Sequence, residues 1–254
     1  MQIVGYDTGA GERESEPALL LSTDEGLDRQ SLASGTELAY TLEERHCAGS
    51  VRDGRHQACA NDSAPYCDEH TSRWACARCV GTCDLPLPSC REEHAVYLAA
   101  FAPATFKVGV TRSWRLETRL REQGADRAAH VHTVKDGRVA RQLEAEIAMD
   151  LVDRVRVPTK IDGLHRQVDE EAWQGLLADF DVIDRFDFEY GLRLSDRPVE
   201  ETLLTGTVRG TQGRVLVLDN GGSTYAVDMR DLVGYECREG GTDRDLQSSL
   251  GAFG

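Results

Sequence analysis

Between Cys47 and Cys90 the chain carries seven of its eight cysteines and one histidine, in the order Cys47-x11-Cys59-x7-Cys67-x2-His70-x5-Cys76-x2-Cys79-x3-Cys83-x6-Cys90. This stretch constrains the fold most, because it has few apolar residues to bury and must be held by its side-chain donors. Eight sulfur and nitrogen donors suffice for two tetrahedral sites. The two-residue gaps Cys67/His70 and Cys76/Cys79 form knuckles that present two ligands to one ion, which is the chemistry of structural zinc. Disulfides are the rival reading. The opening MQIVGYDTG lacks the basic-then-apolar pattern of an export signal, and intracellular thiols are kept reduced, so disulfides are disfavoured. An iron–sulfur cluster suits the histidine and the donor count less well.

Sequential pairing puts Cys47, Cys59, Cys67 and His70 on one ion and Cys76, Cys79, Cys83 and Cys90 on the other. An interleaved arrangement fits the spacing nearly as well. Each closed site contributes on the order of 10 kcal/mol of folding free energy. His46, His56 and His94 are spare candidates, and Cys237 stands alone as a plain thiol.

Charge divides the chain. The net charge is −15, with 44 acidic against 29 basic residues, and the only lysines are Lys107, Lys135 and Lys160. Acid excess with little lysine suits a high-salt cytoplasm, where hydrated carboxylates keep a surface soluble. Yet residues 94–156 hold eleven basic and eight acidic side chains, a local +3. A basic block inside an acidic chain is expected where a surface faces phosphates. No apolar run reaches membrane length, so the expectation is a cytoplasmic protein with no membrane partner. Neither an internal repeat nor a phosphate-binding glycine loop is present.

Taken in order, residues 1–46 read as an N-terminal β unit, with MQIVGYD, PALLLST and TELAYTLEE as β-prone runs separated by loops. Residues 47–93 are the zinc segment. Residues 94–156 open with a hairpin, an apolar strand over 95–102 turning at Pro103 and Ala104 into a strand over 106–111. Ser113 caps a helix ending at Gly124, a third strand covers 128–134, and Asp136-Gly137 turns into a helix over 139–152. Residues 157–198 form a linker, with VPTKIDGL as loop, and an amphipathic helix capped by Asp169. In it Trp173, Leu176, Leu177 and Phe180 are core. Residues 199–237 return to strands joined by Gln212-Gly213 and Asn220-Gly221-Gly222 turns, a small barrel that the N-terminal unit could complete. Residues 238–254 read as a disordered tail. The fold class is α+β, a small mixed sheet with flanking helices, preceded by the two-zinc segment and flanked by barrel-like units.

Within residues 94–148 the motif order resembles the GIY-YIG nuclease domain. Ala95-Val96-Tyr97 stands where that family writes its first tripeptide and Lys107-Val108-Gly109 where it writes the second, with nine residues between Tyr97 and Lys107. Arg119 stands for the helical arginine and Leu143-Glu144 for the metal-binding glutamate. The first tripeptide lacks its glycine, and lysine replaces the second tyrosine. The pattern looks closest to a divergent prokaryotic, haloarchaeal branch in which a cysteine-rich segment precedes the hairpin.

The resemblance implies phosphodiester hydrolysis with one Mg²⁺ or Mn²⁺ held by Glu144. Arg119 would bind the non-bridging oxygens, Tyr97 would orient or deprotonate the attacking water, and Lys107 would contact phosphate or depress the Tyr97 phenol. Arg112 and Arg115 would track a nucleic-acid backbone. Two other functions fit the residues: a non-catalytic nucleic-acid or ribonucleoprotein adaptor, and a zinc-stabilised protein-interaction module.

Overall fold

Period-two apolar patterning at the N-terminus becomes an antiparallel meander of β1 (Gln2–Asp7), β2 (Ala18–Thr23) and β3 (Gly26–Ser31), with Ile3, Leu19 and Leu21 buried. The structure is a computed structural model describing residues 1–11, 16–71, 79–83 and 87–241. Strand β3 lies in the stretch that reads as a charged loop. It is a sheet edge whose polar side chains blunt further pairing, so it carries no alternating apolar signal. After β4 (Glu37–Arg45) comes a short hairpin of β5 (Ser50–Arg52) and β6 (Arg55–Gln57). Its turn takes positive φ at both Asp53 and Gly54, as a two-residue hairpin loop requires.

The next elements build a four-stranded sheet. β7 (His94–Phe101) and β8 (Thr105–Arg112) form an antiparallel hairpin in which Tyr97 faces Gly109. A 3-10 turn leads into α1 (Leu116–Gln123), which ends at Gly124 in the left-handed region. Ser113 does not cap this helix. Its Oγ is buried without a hydrogen-bond partner, and the N-terminal residue of α1 is set by the 3-10 turn instead. β9 (Arg127–Val134) pairs with β7, and α2 (Gly137–Ile147) begins at Asp136, whose carboxylate accepts from the Arg138 N–H.

The stretch VPTKIDGL, read as loop, is helix α3 (Val157–Gly163). Pro158 sits in its first turn, where a missing N–H costs nothing, and Val157 and Ile161 are buried. α4 (Glu170–Leu177) is capped by Asp169, and β10 (Asp184–Asp187) adds to β9. The order is β10-β9-β7-β8, with β7 central and buried along nearly its whole length. Val96, Leu98, Ala100, Val108, Trp173 and Leu177 share one core, against which Leu143, Ile147 and Leu151 pack.

β11 (Val199–Glu200), β12 (Leu204–Gln212), β13 (Val215–Asn220), β14 (Ser223–Asp228), the short helix α5 (Met229–Leu232) and β15 (Tyr235–Glu239) complete the described chain. They do not make a separate unit. β4 inserts between β12 and β15, and β15 pairs with β1, giving one nine-stranded sheet in the order β11-β14-β13-β12-β4-β15-β1-β2-β3. Among the described residues no pairing joins β11 to β3, so the expected barrel is not closed. Residues 238 and 239, assigned to the tail, belong to β15; residues 242–254 lie outside the described residues.

Two units result: Met1–Ser72 with Tyr190–Gly254, and Arg73–Glu189. This divides the cysteine segment, read as one domain over residues 47–93. Cys47 to His70 belong to the first unit, and Cys79, Cys83 and Cys90 to the second. Among the described residues no helix is long and apolar enough to cross a membrane.

Candidate functional site

Four of the eight predicted metal ligands meet. One donor atom each from Cys47, Cys59, Cys67 and His70 lies within 4.8 Å of the other three, the quartet that sequential pairing assigns to the first ion. The knuckle is a tight turn in which the Cys67 carbonyl accepts from the His70 and Thr71 N–H groups at 3.0 and 2.8 Å. That turn brings His70 Nδ1 to 3.2 Å from the Cys67 sulfur and 3.4 Å from the Cys47 sulfur.

Cys47 is held after β4 by its N–H to the Asn61 carbonyl at 2.8 Å, and its sulfur accepts from the Gly49 and Cys67 N–H groups at 3.4 and 3.2 Å. Gly49 adopts φ +60°, and a Cβ there would sit 1.9 Å from the Gln57 carbonyl oxygen, so only glycine lets the β5–β6 hairpin close over the site. Desolvation resists ionisation of Cys67. Hydrogen bonds from the His70 ring, the His70 and Glu69 backbone and Cys47 outweigh it and bring the thiol down to about 7. Such a quartet could hold a metal ion such as zinc.

The spare histidines are engaged elsewhere. His46 meets the Cys59 carbonyl at 3.0 Å and pairs with Glu236 at 3.1 Å, and that hydrogen bond raises its pKa. His56 spans Ser22 Oγ and the Ala48 carbonyl, and His94 Nδ1 contacts the Glu92 carbonyl. Cys237 is a core thiol on β15, pushed up to about 11 by burial.

Of the second predicted quartet, Cys76 lies outside the described residues. Cys79 and Cys90 are both near enough to Cys83 to raise its pKa, after desolvation, which dominates. The Cys79 sulfur accepts from the Gly81 N–H at 3.3 Å, while the Gly81 carbonyl accepts from Arg138 Nε and Gln142 Nε2. This turn is thereby fastened to α2.

The four predicted catalytic residues come from β7, β8, α1 and α2, and two of them, Tyr97 and Lys107, are joined by a fifth residue that the sequence did not flag, Gln123. Its Nε2 donates to the Tyr97 hydroxyl at 2.7 Å, and its Oε1 accepts from Lys107 Nζ at 3.0 Å. Arg119 and Glu144 both act electrostatically on Tyr97 and on Lys107. Tyr97 is 2% exposed, and burial raises its phenol pKa.

Lys107 is 8% exposed; burial first, then Arg119, lower its ammonium to about 8, against the pull of Glu144 and Asp153. Asp153 arrives because the chain after α2 runs beside β8, where the Val108 N–H donates to the Val152 carbonyl at 3.0 Å. Gly109 makes room for the ring: a Cβ there would lie 2.5 Å from the Tyr97 hydroxyl oxygen. Two ion pairs already occupy members of the group. Arg119 binds Glu122 at 3.2 Å, and Glu144 binds Arg141 at 2.5 Å.

The two predicted nucleic-acid-binding arginines flank an aromatic that was also missed. Trp114 is 59% exposed, and the Arg112 and Arg115 guanidiniums lie 4.6 and 5.9 Å from its ring centroid. Glu92 links Arg112 to Trp114, accepting from the guanidinium at 3.2 Å and from the indole N–H at 3.0 Å. Arg115 binds Glu122 at 2.8 Å.

No curated protein and no solved structure gives a significant match to the chain. A family model does: the one described as a protein of unknown function (DUF2797) matches residues 35–237, and the chain belongs to that family.

Proposed function

We propose that this chain is a zinc-stabilised nucleic-acid-processing protein that hydrolyses phosphodiester bonds with a divalent cation at the Tyr97 group. One observation carries the reading: the Gln123 amide joins the Tyr97 phenol to the Lys107 ammonium, and the Arg119 guanidinium and Glu144 carboxylate act on both. The elements follow the order β7, β8, α1, β9, α2, with Tyr97, Lys107-Val108-Gly109, Arg119 and Glu144 on the ones that the GIY-YIG resemblance requires.

Zinc suits the donor set at Cys47, Cys59, Cys67 and His70. An ion about 2.3 Å from sulfur and about 2.0 Å from nitrogen in tetrahedral geometry sets those donors about 3.5 Å apart. The observed sulfur–nitrogen separations of 3.2 and 3.4 Å are close to that value. Three thiols and an imidazole are also a soft set that disfavours magnesium. With every position filled by protein, the role is structural. Cys79, Cys83 and Cys90, with Cys76, are proposed for a second zinc.

At the Tyr97 group, Glu144 would carry Mg²⁺ or Mn²⁺, which suits one carboxylate completed by water and phosphate oxygens. When bound, that cation supplies charge stabilisation at the leaving oxygen. Arg119 offers its planar fork to the non-bridging oxygens, exchanging Glu122 for phosphate. Lys107 adds positive charge that the walls of the site do not screen. The burial of Tyr97 and the Arg141–Glu144 pair favour a second reading, in which the fold binds nucleic acid without cleaving it.

Labelled single- and double-stranded DNA and RNA, incubated with zinc-loaded protein and Mg²⁺ or Mn²⁺, separate the two. Hydrolysis requires cleavage that Glu144→Ala abolishes with binding intact. Salt-sensitive binding unaffected by Mg²⁺, without cleavage, supports the adaptor. Neither binding nor cleavage defeats both.

A further inference from the structure

Gln123 has one side-chain oxygen and one side-chain NH₂, and its neighbours dictate which faces which. A lysine ammonium can only donate, so the oxygen must face Lys107 and the NH₂ must face Tyr97. That is the arrangement observed, at 3.0 and 2.7 Å. The amide has little freedom to swing. Its own backbone carbonyl accepts from Lys160 Nζ at 2.6 Å, and Nε2 also reaches the Arg119 carbonyl at 3.1 Å. The positive charge of Arg119 also acts on the Tyr97 phenol. With the phenol oxygen accepting from the Gln123 NH₂, the hydroxyl proton points away from that amide.

We propose that Gln123 is a positioning residue that fixes Tyr97 as a hydrogen-bond donor, so that the phenol offers its proton to a phosphoryl oxygen and does not take one from water. The proposal rests on the phosphodiester reading above and refines the part that Tyr97 plays in it. The charged groups facing Lys107 are Arg119 from α1, Glu144 from α2, and Asp153 and Arg154 from the segment beside β8. Burial also holds the phenol proton in place by raising its pKa.

Gln123→Glu reverses the polarity at nearly constant shape. The new carboxylate accepts from both Lys107 and Tyr97 and turns the phenol proton inward. Loss of one aimed donor lowers cleavage by about 100-fold. Tyr97→Phe should give the same loss, and the double variant should be no worse, with oligonucleotide binding kept. Cleavage unchanged in Gln123→Glu while Tyr97→Phe abolishes it overturns the proposal.

A second readout does not need activity. With only three lysines in the chain, ¹³C-labelled lysine gives one resolved titration each. Gln123→Glu should raise the Lys107 midpoint by at least one pH unit and leave Lys135 alone, and Gln123→Asn should restore most of the wild-type value. An unmoved Lys107 signal removes Gln123 from the site even if no nucleic acid is ever cleaved. A moved signal without cleavage in wild type keeps the polarity and removes the hydrolase.

Discussion

Replacing Lys107 by methionine should make the protein more stable at neutral pH. The ammonium is 8% exposed, and its pKa falls from the usual 10.5 to about 8, chiefly through burial. Holding that charge in the folded state therefore costs about 3 kcal/mol below pH 8. Methionine matches the length of the stem and carries no charge, but it leaves Gln123 Oε1 without its donor, a loss of about 1 kcal/mol. The net gain at pH 7 is about 2 kcal/mol.

The sign with pH follows from proton counting. Between pH 8 and 10.5 the unfolded chain binds more protons at this residue than the folded chain, so wild-type stability rises with pH and is lost as pH falls through 8. The advantage of Lys107→Met should thus shrink to near zero by pH 9.5. Urea unfolding followed by tryptophan fluorescence reads the relevant unit, because the described tryptophans, Trp114 and Trp173, both fall within Arg73–Glu189. A variant no more stable at pH 7, or an advantage constant from pH 7 to 9.5, would refute the placement of a strained ammonium there.

Two further outcomes are expected. Gly109→Ala should destabilise the same unit by about 3 kcal/mol, because the new methyl would lie 2.5 Å from the hydroxyl oxygen of the buried Tyr97 ring. The same unfolding curves measure it, and Gly109→Ala combined with Tyr97→Leu should recover part of the loss. Trp114→Ala should weaken binding of single-stranded oligonucleotides about 10-fold and duplex binding much less, since an exposed indole offers a stacking face to an unpaired base. Fluorescence anisotropy at fixed salt gives both affinities.

The hairpin was legible because residues 95–102 are an unbroken apolar run with a turn behind them. Once the turn is placed, the register that sets Tyr97 opposite Gly109 follows. The first ligand quartet was legible from the Cys67-x2-His70 knuckle. Gln123 was not, because a glutamine in the last turn of a helix carries no spacing signal, and only the fold shows what its amide faces. Nor was Asp153, delivered by a chain segment that pairs with β8 outside any regular strand. β3 and β10 are short polar edge strands, whose residues look like loop. The shared sheet escaped for a different reason. β4 pairs with β12 and β15 across more than 150 residues, and local patterning says nothing about partners so distant.

The proposal that zinc holds the loop-rich segment around Cys47 requires the thiol–imidazole quartet of Cys47, Cys59, Cys67 and His70 to close on an ion. Cobalt substitution tests this directly. Apo-protein titrated with Co²⁺ should develop the intense visible bands of a tetrahedral thiolate site, bleached by stoichiometric Zn²⁺ and weakened in His70→Ala and Cys67→Ser. A titration that yields only the pale spectrum of octahedral cobalt, unchanged in both variants, would contradict it.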